Sequence, residues 1–574
     1  MTTRRRIRVA RLLPAILLGG ALLAGGCGDD GKTGTTTSSS SSSSTSGTGG
    51  TGGGTGGVGG MGGAGGMGGM SAESLWVGVG KQKITPTIVE SVWDDANGNG
   101  YFDAGESFTD TNGNGTFDAT WLAGFGTGRP ATGINDDPEV RAIAFKKGDT
   151  TVVVCILDAI GYFIDDMDMI RADPKVVELG VDHLLIGSTH VHDAVDTIGL
   201  WGPAQGMTGY NAEYQKLTRD QAAKAIAAAV ESLKPARMRV AQVQTVDPVT
   251  GSTKAYVNDV RDPIIYDPTL TIAQFTDEAN PTVTIASLVN WSSHPEYAGS
   301  ENNLVSADNV HWLRETIEKG LPEKNVTGIG GTMVFVQGAL GGQVGPGGGV
   351  GPIGPDGTPI TQYGLPRAQA AGTNVALLAL SSLATSGEDT TDTTLLVRDK
   401  EVYAQVENAG YHFLRDLGVF NRQFYMYDPM TPIGPGNIPS LRSQISYLQV
   451  GPMAMITAPG ELHPELWVGG YDGSWSFGQN ILNETENAPD LMAAPQGPYL
   501  REIMLQNPGV KYPFVGGCVQ DFLGYIVPAF NYVLDPNNPY FVEASGDHYE
   551  ETNSIGPKCE EQLQHPMMDV AKAP

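Results

Sequence analysis

Two histidines separated by a single residue are the strongest chemical feature of the sequence. His190 and His192 lie in Gly187-Ser-Thr-His-Val-His-Asp193, after the segment 181–186, which contains a short apolar run and predicts a buried strand. A segment rich in Gly and Pro follows, so we expect the histidines where a strand runs into a loop. Residues i and i+2 of an extended strand point to the same side, so both imidazoles can face one cavity and bind a metal or a substrate. The alternative is that one is a hydrogen-bonded core histidine and the other a surface residue.

The elements around these histidines predict an α/β fold. Strands are expected at 142–145 and 151–157, a helix at 165–170, and a long helix at 212–232. Strands that alternate with helices in this way favour an α/β arrangement. Once the start of the chain is set aside, about 500 residues remain, which is enough for a sizeable core.

The first residues predict an export signal. Five arginines precede the apolar run 12–24, which is too short to span a bilayer but suits the h-region of a secretory signal. Leu23-Ala-Gly-Gly-Cys27 resembles a bacterial lipoprotein cleavage box, so Cys27 is predicted to carry a lipid. The alternative is a plain signal peptide with an incidental cysteine. We therefore expect an exported protein that is lipid-anchored to a membrane, periplasmic or at the cell surface, or secreted.

Composition separates the signal segment 1–27 from a folded domain at 75–574. Residues 28–74 consist mainly of Gly, Ser and Thr, which cannot bury enough apolar surface to offset the entropy of ordering, so a disordered linker is expected. The formal net charge is -28, and no basic stripe offsets the acidic residues. This charge argues against nucleic acid as a partner.

Three cysteines follow Cys27 in the sequence. Cys155 lies in an apolar run that predicts a buried strand, so its thiol is expected to be unreactive. In an exported protein, Cys518 and Cys559 are candidates for a disulfide bond.

An insert at 94–121 contains two loops with the spacing of calcium ligands. The first, from Asp95 to Glu106, has oxygen donors at positions 1, 3, 5, 9 and 12 and glycine at position 6, as in EF-hand loops. The second starts at Asp110 and repeats the first nine positions, but Trp121 at position 12 cannot supply a carboxylate, so it needs another ligand, for which Glu106 is a candidate, or binds weakly. The predicted calcium ligands are Asp95, Asn97, Asn99, Tyr101, Asp103, Glu106, Asp110, Asn112, Asn114 and Asp118. The alternative is a metal-free cluster of Asn-Gly turns.

Several motifs resemble, in their order along the chain, the neutral ceramidase family. They are Gly133-Ile-Asn-Asp-Asp-Pro-Glu-Val-Arg-Ala142, Leu157-Asp-Ala-Ile-Gly161, Ser188-Thr-His-Val-His192, Trp201-Gly-Pro203, Ala255-Tyr-Val-Asn258 and Trp291-Ser-Ser-His-Pro295. The enzymes of this family are zinc amidohydrolases that cleave the N-acyl bond of ceramide. The resemblance covers most of residues 75–560. It implies a mixed-sheet zinc-hydrolase catalytic domain that acts on a small, lipid-like amide.

The resemblance also implies four zinc ligands. His190 and His294 are similar to the two zinc histidines of the family, and Glu461 follows a Pro-Gly pair at the place of its zinc-binding glutamate. Tyr532 looks like the zinc-binding tyrosine, although Tyr525 is close by in the sequence and a buried tyrosine with a satisfied hydroxyl is the common alternative. Two imidazoles, a carboxylate and a phenol oxygen are reasonable donors for zinc.

Zinc would lower the pKa of a bound water and polarise the carbonyl that the water attacks. An imidazole close to the metal can transfer a proton to the leaving amine, and His192 is the predicted shuttle. His463, in Glu461-Leu-His463, is the second candidate for this role.

One segment departs from the family pattern. Where the family carries its catalytic serine, this chain reads Gln337-Gly-Ala-Leu-Gly-Gly-Gln-Val-Gly-Pro346, with Gly338 at the serine position. Three hypotheses therefore stay open: a zinc amidase acting on ceramide or another N-acyl lipid, a zinc hydrolase of the same fold with a different amide or ester substrate, and a non-catalytic surface lipoprotein that keeps the fold.

Overall fold

The computed structural model describes residues 74–249, 251–346, 349–483 and 485–573. The predicted signal segment, Cys27 and the Gly/Ser/Thr linker up to residue 73 lie outside these described residues. Among the helices of the described ranges, none combines the length and the apolar character needed to cross a bilayer.

The described chain alternates between strands and helices. The strands are β1 Trp76–Lys83, β2 Gly133–Ile134, β3 Glu139–Lys147, β4 Thr150–Leu157, β5 His183–Ser188, β6 Lys234–Gln244, β7 Thr269–Asp277, β8 Thr284–Trp291, β9 Leu304–Val305, β10 Gly320–Leu321, β11 Val326–Thr327, β12 Thr332–Gln337, β13 Glu388–Thr390, β14 Leu395–Gln405, β15 Ser440–Val450, β16 Met453–Ala458, β17 Glu461–Leu462, β18 Tyr512–Gly517 and β19 Tyr525–Ile526. The α-helices are α1 Ile164–Arg171, α2 Pro174–Glu178, α3 Ala212–Glu231, α4 Asp308–Lys319, α5 Leu365–Ser386, α6 Ala409–Asp416, α7 Pro464–Val468, α8 Leu500–Leu505, α9 Tyr549–Thr552 and α10 His565–Ala571.

Two sheets contain most of the strands. The larger has the order β12-β8-β7-β6-β1-β3-β4-β5, with β13 also paired to β6, and the smaller has the order β14-β15-β16-β18. Parallel pairs occur in both sheets, β4 with β5, β8 with β12 and β16 with β18, and the other neighbours in these two orders are antiparallel. The prediction of an α/β fold with mixed sheets is confirmed.

An apolar core lies between the two sheets. β1 and β6 pair only through Trp76 with Pro235 and Val77 with Lys234, which divides the larger sheet into two halves. Both halves and the smaller sheet contribute to one cluster, which includes Ile143, Phe145, Phe275, Val334, Met453 and Met455. Helices cover the outer faces: α3 packs on one half, α4 and α5 pack on the other, and α8 and α10 pack on the smaller sheet. Strands covered on both faces read as nearly continuous apolar runs, as in β4.

A buried ion pair fixes the end of β4. Asp158, which is 0 % exposed, accepts two hydrogen bonds from the Arg314 guanidinium of α4, at 2.5 and 2.6 Å. Its carboxylate also accepts from the Glu139 amide at 2.8 Å and the Thr189 hydroxyl at 3.2 Å. Asp158 therefore links β3, β4 and α4 to the segment that leads into His190.

Replacing Arg314 with methionine is expected to destabilise the protein by about 3–5 kcal/mol, because the buried Asp158 carboxylate would lose its counter-charge. The exposed pair of Lys216 with Asp220 on α3 provides a control. Lys216→Met is expected to change the free energy of unfolding by less than about 0.5 kcal/mol. Thermal unfolding of the two full-length variants measures the difference, and equal small shifts would contradict a structural role for the Asp158 pair.

Candidate metal centre

Segments that follow three strands converge on one point. His190 follows β5, His294 follows β8, and Glu461 begins β17 after the end of β16. Tyr525 reaches the same point because it pairs with Glu461 in the short parallel ladder of β17 and β19. His190 adopts a left-handed backbone conformation with φ of 63°, which costs a non-glycine residue of order 1–2 kcal/mol. Such strain is typical of functional sites.

The side-chain donor atoms at this point have the spacing of ligands around one ion. His190 Nε2 lies 3.3 Å from His192 Nε2 and 3.3 Å from Glu461 Oε2, and His294 Nε2 lies 3.1 Å from the same Glu461 oxygen. The Tyr525 hydroxyl is 3.3 Å from His294 Nε2. Ligands bonded tetrahedrally at about 2.0–2.1 Å lie about 3.3–3.4 Å from one another. The three buried histidines could therefore hold one metal ion, together with the carboxylate.

Backbone carbonyls determine which ring nitrogen of two histidines faces this centre. His190 Nδ1 lies 2.7 Å from the Ile160 carbonyl oxygen, and His294 Nδ1 lies 3.0 Å from that of Gln343. A carbonyl only accepts, so each Nδ1 carries the proton and each Nε2 directs its lone pair at the centre. Two imidazole lone pairs that face a carboxylate oxygen would be stabilised by a cation between them. Hydrogen bonds from Nδ1 to a backbone carbonyl are the contacts that orient metal-bound histidines.

The surroundings of His192 and Glu461 favour the protonation states that bind metals, whereas Glu461 and Glu296 raise the pKa of His294 against the effect of its burial. Burial, followed by the neighbouring His190 and His294, lowers the pKa of His192 well below its usual value. Burial would raise the pKa of Glu461, but His190 and His294 outweigh it and lower this pKa. A neutral imidazole and an ionised carboxylate are the forms in which these side chains bind metals. His192 Nδ1 faces Glu296 Oε2 at 3.6 Å, so its Nε2 is directed at the centre.

The structure brings together three of the four predicted zinc ligands, His190, His294 and Glu461. It does not bring Tyr532 to them. The Tyr532 hydroxyl donates to the Glu551 carbonyl at 3.1 Å, and its ring packs against the core of the smaller sheet. Tyr525, seven residues earlier, lies beside His294 instead.

Two glycines explain why Tyr525 reaches the centre. A Cβ at Gly460 would lie 2.3 Å from the Gly524 carbonyl oxygen, and Gly524 itself has φ of 79°. Only glycine at these positions allows β17 and β19 to approach. The sequence signal for Tyr525 is therefore its position directly after Gly524, opposite the Pro459-Gly460 pair.

The two candidate proton shuttles occupy different positions. His192 lies among the donor atoms themselves. His463 is buried behind Tyr525, with ring centroids 6.0 Å apart, and does not line the cavity at the centre. His192 therefore occupies the position of a ligand, and His463 lies outside the cavity, so the geometry favours neither as the proton shuttle.

A cavity of about 60 Å³ opens onto the donor atoms. Besides His190, His192, Glu461 and Tyr525, its lining includes Gly124, Ile160, Trp201 and Asn553. An apolar cleft adjoins it and shares the walls formed by Leu200, Tyr411, Phe522 and Gly524. The remainder of the cleft includes Phe163, Ile198, Phe420, Phe424 and Leu441. Polar groups at one end of a mostly apolar cleft are typical of sites for small organic molecules.

The predicted disulfide between Cys518 and Cys559 is wrong. Both cysteines are free and buried, as is Cys155 in β4. Cys518 packs with Phe522 near the candidate centre, whereas Cys559 lies in the core of the smaller sheet with its Sγ 3.3 Å from the Val527 carbonyl oxygen. The two thiols belong to separate apolar clusters, and burial raises the pKa of Cys559 to about 11.

Gly338 leaves no room for the serine that the family pattern places there. A Cβ at this position would lie 2.1 Å from Ser292 Oγ and 3.0 Å from Ser292 Cβ. Ser292 is 1 % exposed, and its hydroxyl has no hydrogen-bond partner among the described residues. The Ser292 hydroxyl therefore occupies the space that a side chain at 338 would need.

Gly338→Ser is expected to destabilise the protein by about 1–3 kcal/mol through overpacking. Adding Ser292→Gly removes Oγ and Cβ, the two nearest atoms, and leaves the Cα 3.1 Å away, so it is expected to recover part of the loss. Thermal unfolding of both single variants and the double variant measures this coupling. Strictly additive losses would show that the two positions do not compete for the same space.

Comparison with known proteins identifies the fold. No protein-family model and no curated protein matches the sequence. The solved structure of neutral ceramidase from Pseudomonas aeruginosa matches with a TM-score of 0.58 and 13% identity, over 87% of this chain and 74% of that chain. A structure of a ceramidase complexed with C2 matches with a TM-score of 0.57 and 13% identity, over 87% of this chain and 75% of that chain. The chain therefore has the fold of neutral ceramidase.

Proposed function

We propose that the protein is an exported, zinc-dependent amidohydrolase that cleaves the N-acyl amide of ceramide or a related lipid. The observation that carries this proposal is the 3.1–3.3 Å spacing of the imidazole and carboxylate donors of His190, His192, His294 and Glu461. Imidazole-rich sets with this spacing suit zinc, whereas calcium and magnesium prefer sets made of oxygen donors. The shared fold with a neutral ceramidase supports the same class of reaction.

Zinc held by these residues would lower the pKa of a water molecule and polarise the substrate carbonyl. We assign His192 to the ligand set, because its Nε2 is directed at the same centre as that of His190. The Tyr525 hydroxyl is placed to donate a hydrogen bond to the carbonyl oxygen as that oxygen gains negative charge. The apolar cleft would hold the hydrocarbon part of the substrate and exclude water around it.

A second candidate is a zinc hydrolase of the same fold with a different amide or ester substrate. Gly338 favours it, since position 338 carries no hydroxyl of its own and the Ser292 side chain occupies the adjacent space. A substrate that needs no serine for its orientation would suit such a centre.

Hydrolysis assays with the full-length, zinc-loaded protein separate these candidates. A short fluorescent ceramide, a generic anilide and a generic ester are offered in parallel, with and without a zinc chelator. The amidase proposal predicts chelator-sensitive ceramide cleavage that added zinc restores. Turnover of the generic substrates alone would support the second candidate, and no turnover at all would contradict both and favour a non-catalytic lipoprotein.

Export and membrane attachment are proposed from the sequence. The arginine-rich start, the apolar run 12–24 and Cys27 support a lipid anchor. Mass spectrometry of the mature protein tests this part: a lipid-modified Cys27 at the amino terminus is expected, and a mature chain without that modification would contradict the anchor.

A further inference from the structure

The first loop of the insert has the internal hydrogen bonds of a calcium loop. Asp95 at position 1 accepts from the amide of Gly100 at position 6, at 2.9 Å. Glu106 at position 12 folds back over the loop: its two carboxylate oxygens accept from the amides of Ala96 and Asp103, at 3.0 and 2.9 Å. Ala96 and Asp103 are positions 2 and 9, so the Glu106 carboxylate closes the loop.

The second loop is closed in the same way by a residue from outside it. Asp110 at position 1 accepts from the amide of Gly115 at position 6, at 2.8 Å. The carboxylate of Glu90 accepts from the amides of Thr111 and Asp118, both at 2.7 Å. These are again positions 2 and 9. Glu90 therefore accepts from the amides at positions 2 and 9 of the second loop, as Glu106 does from those at positions 2 and 9 of the first.

Glu106 is the candidate that the sequence offers for completing the second loop, but its carboxylate accepts hydrogen bonds within its own loop instead. Trp121, at the twelfth position of the second loop, packs instead against the aromatic rings of Phe102 and Phe117. Glu90 precedes that loop in the chain and reaches it through a parallel bridge with Ala119. A ligand that comes from outside the loop motif has no signal in the motif itself.

The charges of the insert are not balanced by the protein. Residues 84–128 contain no lysine, arginine or histidine, and they carry seven carboxylates, Glu90, Asp94, Asp95, Asp103, Glu106, Asp110 and Asp118. Across the described residues, no cationic side chain forms an ion pair with any of the seven. Glu90 is only 2 % exposed. Its carboxylate accepts hydrogen bonds from the Thr111 amide and hydroxyl and from the Asp118 amide, which lower its pKa, so a cation bound in the loop would meet a carboxylate already in its charged form.

We infer that the insert binds two calcium ions, one in each loop, and that Glu90 supplies the missing carboxylate of the second. The donors are carboxylate and amide oxygens, with the backbone carbonyls of Tyr101 and Thr116 at position 7 of each loop. Oxygen-only sets closed by a glutamate carboxylate, from Glu106 in the first loop and from Glu90 in the second, suit calcium. Two divalent ions would neutralise four of the seven negative charges.

The insert lies against the wall of the candidate metal centre. The Tyr101 hydroxyl donates to the Ser300 carbonyl at 3.0 Å, and the Phe102 amide donates to the Gly128 carbonyl at 2.6 Å. The segment 121–129 includes Gly124, where an added Cβ would lie 2.5 Å from the His192 side chain. Calcium in the loops would therefore hold the segment that packs on His192.

Calcium titration of the calcium-free, full-length protein tests this inference. Isothermal calorimetry is expected to count two ions per chain, and terbium luminescence sensitised by Trp93 and Trp121 reports the same binding. Glu106→Gln is expected to weaken the first site, and Glu90→Gln the second, at least about tenfold. The double variant is expected to weaken both sites. Asp94→Asn, which removes an exposed carboxylate of the same insert, is expected to leave both sites intact.

Fewer than two ions in the unaltered protein, or two ions of unchanged affinity in Glu90→Gln, would overturn the inference. If Glu90→Gln fails to fold, Glu90→Asp keeps the charge and shortens the side chain, and it is expected to weaken the second site alone. A variant that lacks both His190 and His294 should still bind two calcium ions, which separates this inference from the proposed zinc chemistry.

Discussion

Replacing His190 and His294 together with alanine is expected to reduce bound zinc from about one ion per chain to none. The two rings supply Nε2 donors whose orientation is fixed by the carbonyls of Ile160 and Gln343, and alanine supplies no donor in their place. Loss of the ion is expected to lower amide hydrolysis at least about 10³-fold, since metal catalysis contributes several kcal/mol of transition-state stabilisation. Zinc content by mass spectrometry and hydrolysis of the short fluorescent ceramide measure both effects.

The exposed His565 on α10 provides the matched control. His565→Ala is expected to retain zinc and activity, because this ring lies outside the candidate centre. Circular dichroism of both proteins establishes that the double variant folds. A folded double variant that keeps its zinc would show that the ion is bound elsewhere.

Tyr525→Phe is expected to lower kcat about 10²–10³-fold, as removal of one donor to a developing oxyanion does in other enzymes. The substitution removes only the hydroxyl, which lies 3.3 Å from His294 Nε2, and leaves the ring stacked on that imidazole. Zinc content is expected to stay near one ion per chain, because the imidazoles and the carboxylate remain. Kinetic measurement of kcat and KM, with zinc analysis of the same sample, tests this.

Tyr532→Phe is the paired control for that substitution. The Tyr532 hydroxyl donates to the Glu551 carbonyl and contributes no donor to the centre, so kcat is expected to change less than about twofold. The reverse pattern, with Tyr532→Phe inactive and Tyr525→Phe active, would favour the tyrosine predicted from the sequence and contradict the geometry.

The sequence predicts much of the centre because its main ligands follow buried, mostly apolar strands. His190 and His294 lie two and three residues after the ends of strands whose apolar runs are evident in the sequence, and Glu461 follows a strand through Pro-Gly. Strand ends are where side chains from distant parts of the chain meet, so the α/β pattern is enough to bring these residues together.

The residues that the sequence does not predict depend on contacts without a local pattern. Tyr525 is placed by a ladder of only two residue pairs, between Glu461 and Tyr525 and between the residues that follow them. Glu90 is placed by a single bridge to Ala119. Cys518 and Cys559 are separated by the packing of two cores, which cysteine spacing does not encode. Neither propensity nor periodicity reports such long-range pairings.

Anomalous diffraction at the zinc absorption edge, from crystals of the full-length protein, tests the metal centre most directly. The expected result is a single strong peak about 2.0–2.2 Å from His190 Nε2, His294 Nε2 and Glu461 Oε2, with His192 Nε2 at similar range. Absence of a peak at this position in zinc-loaded crystals, or a peak bound only by other residues, would contradict the proposed centre.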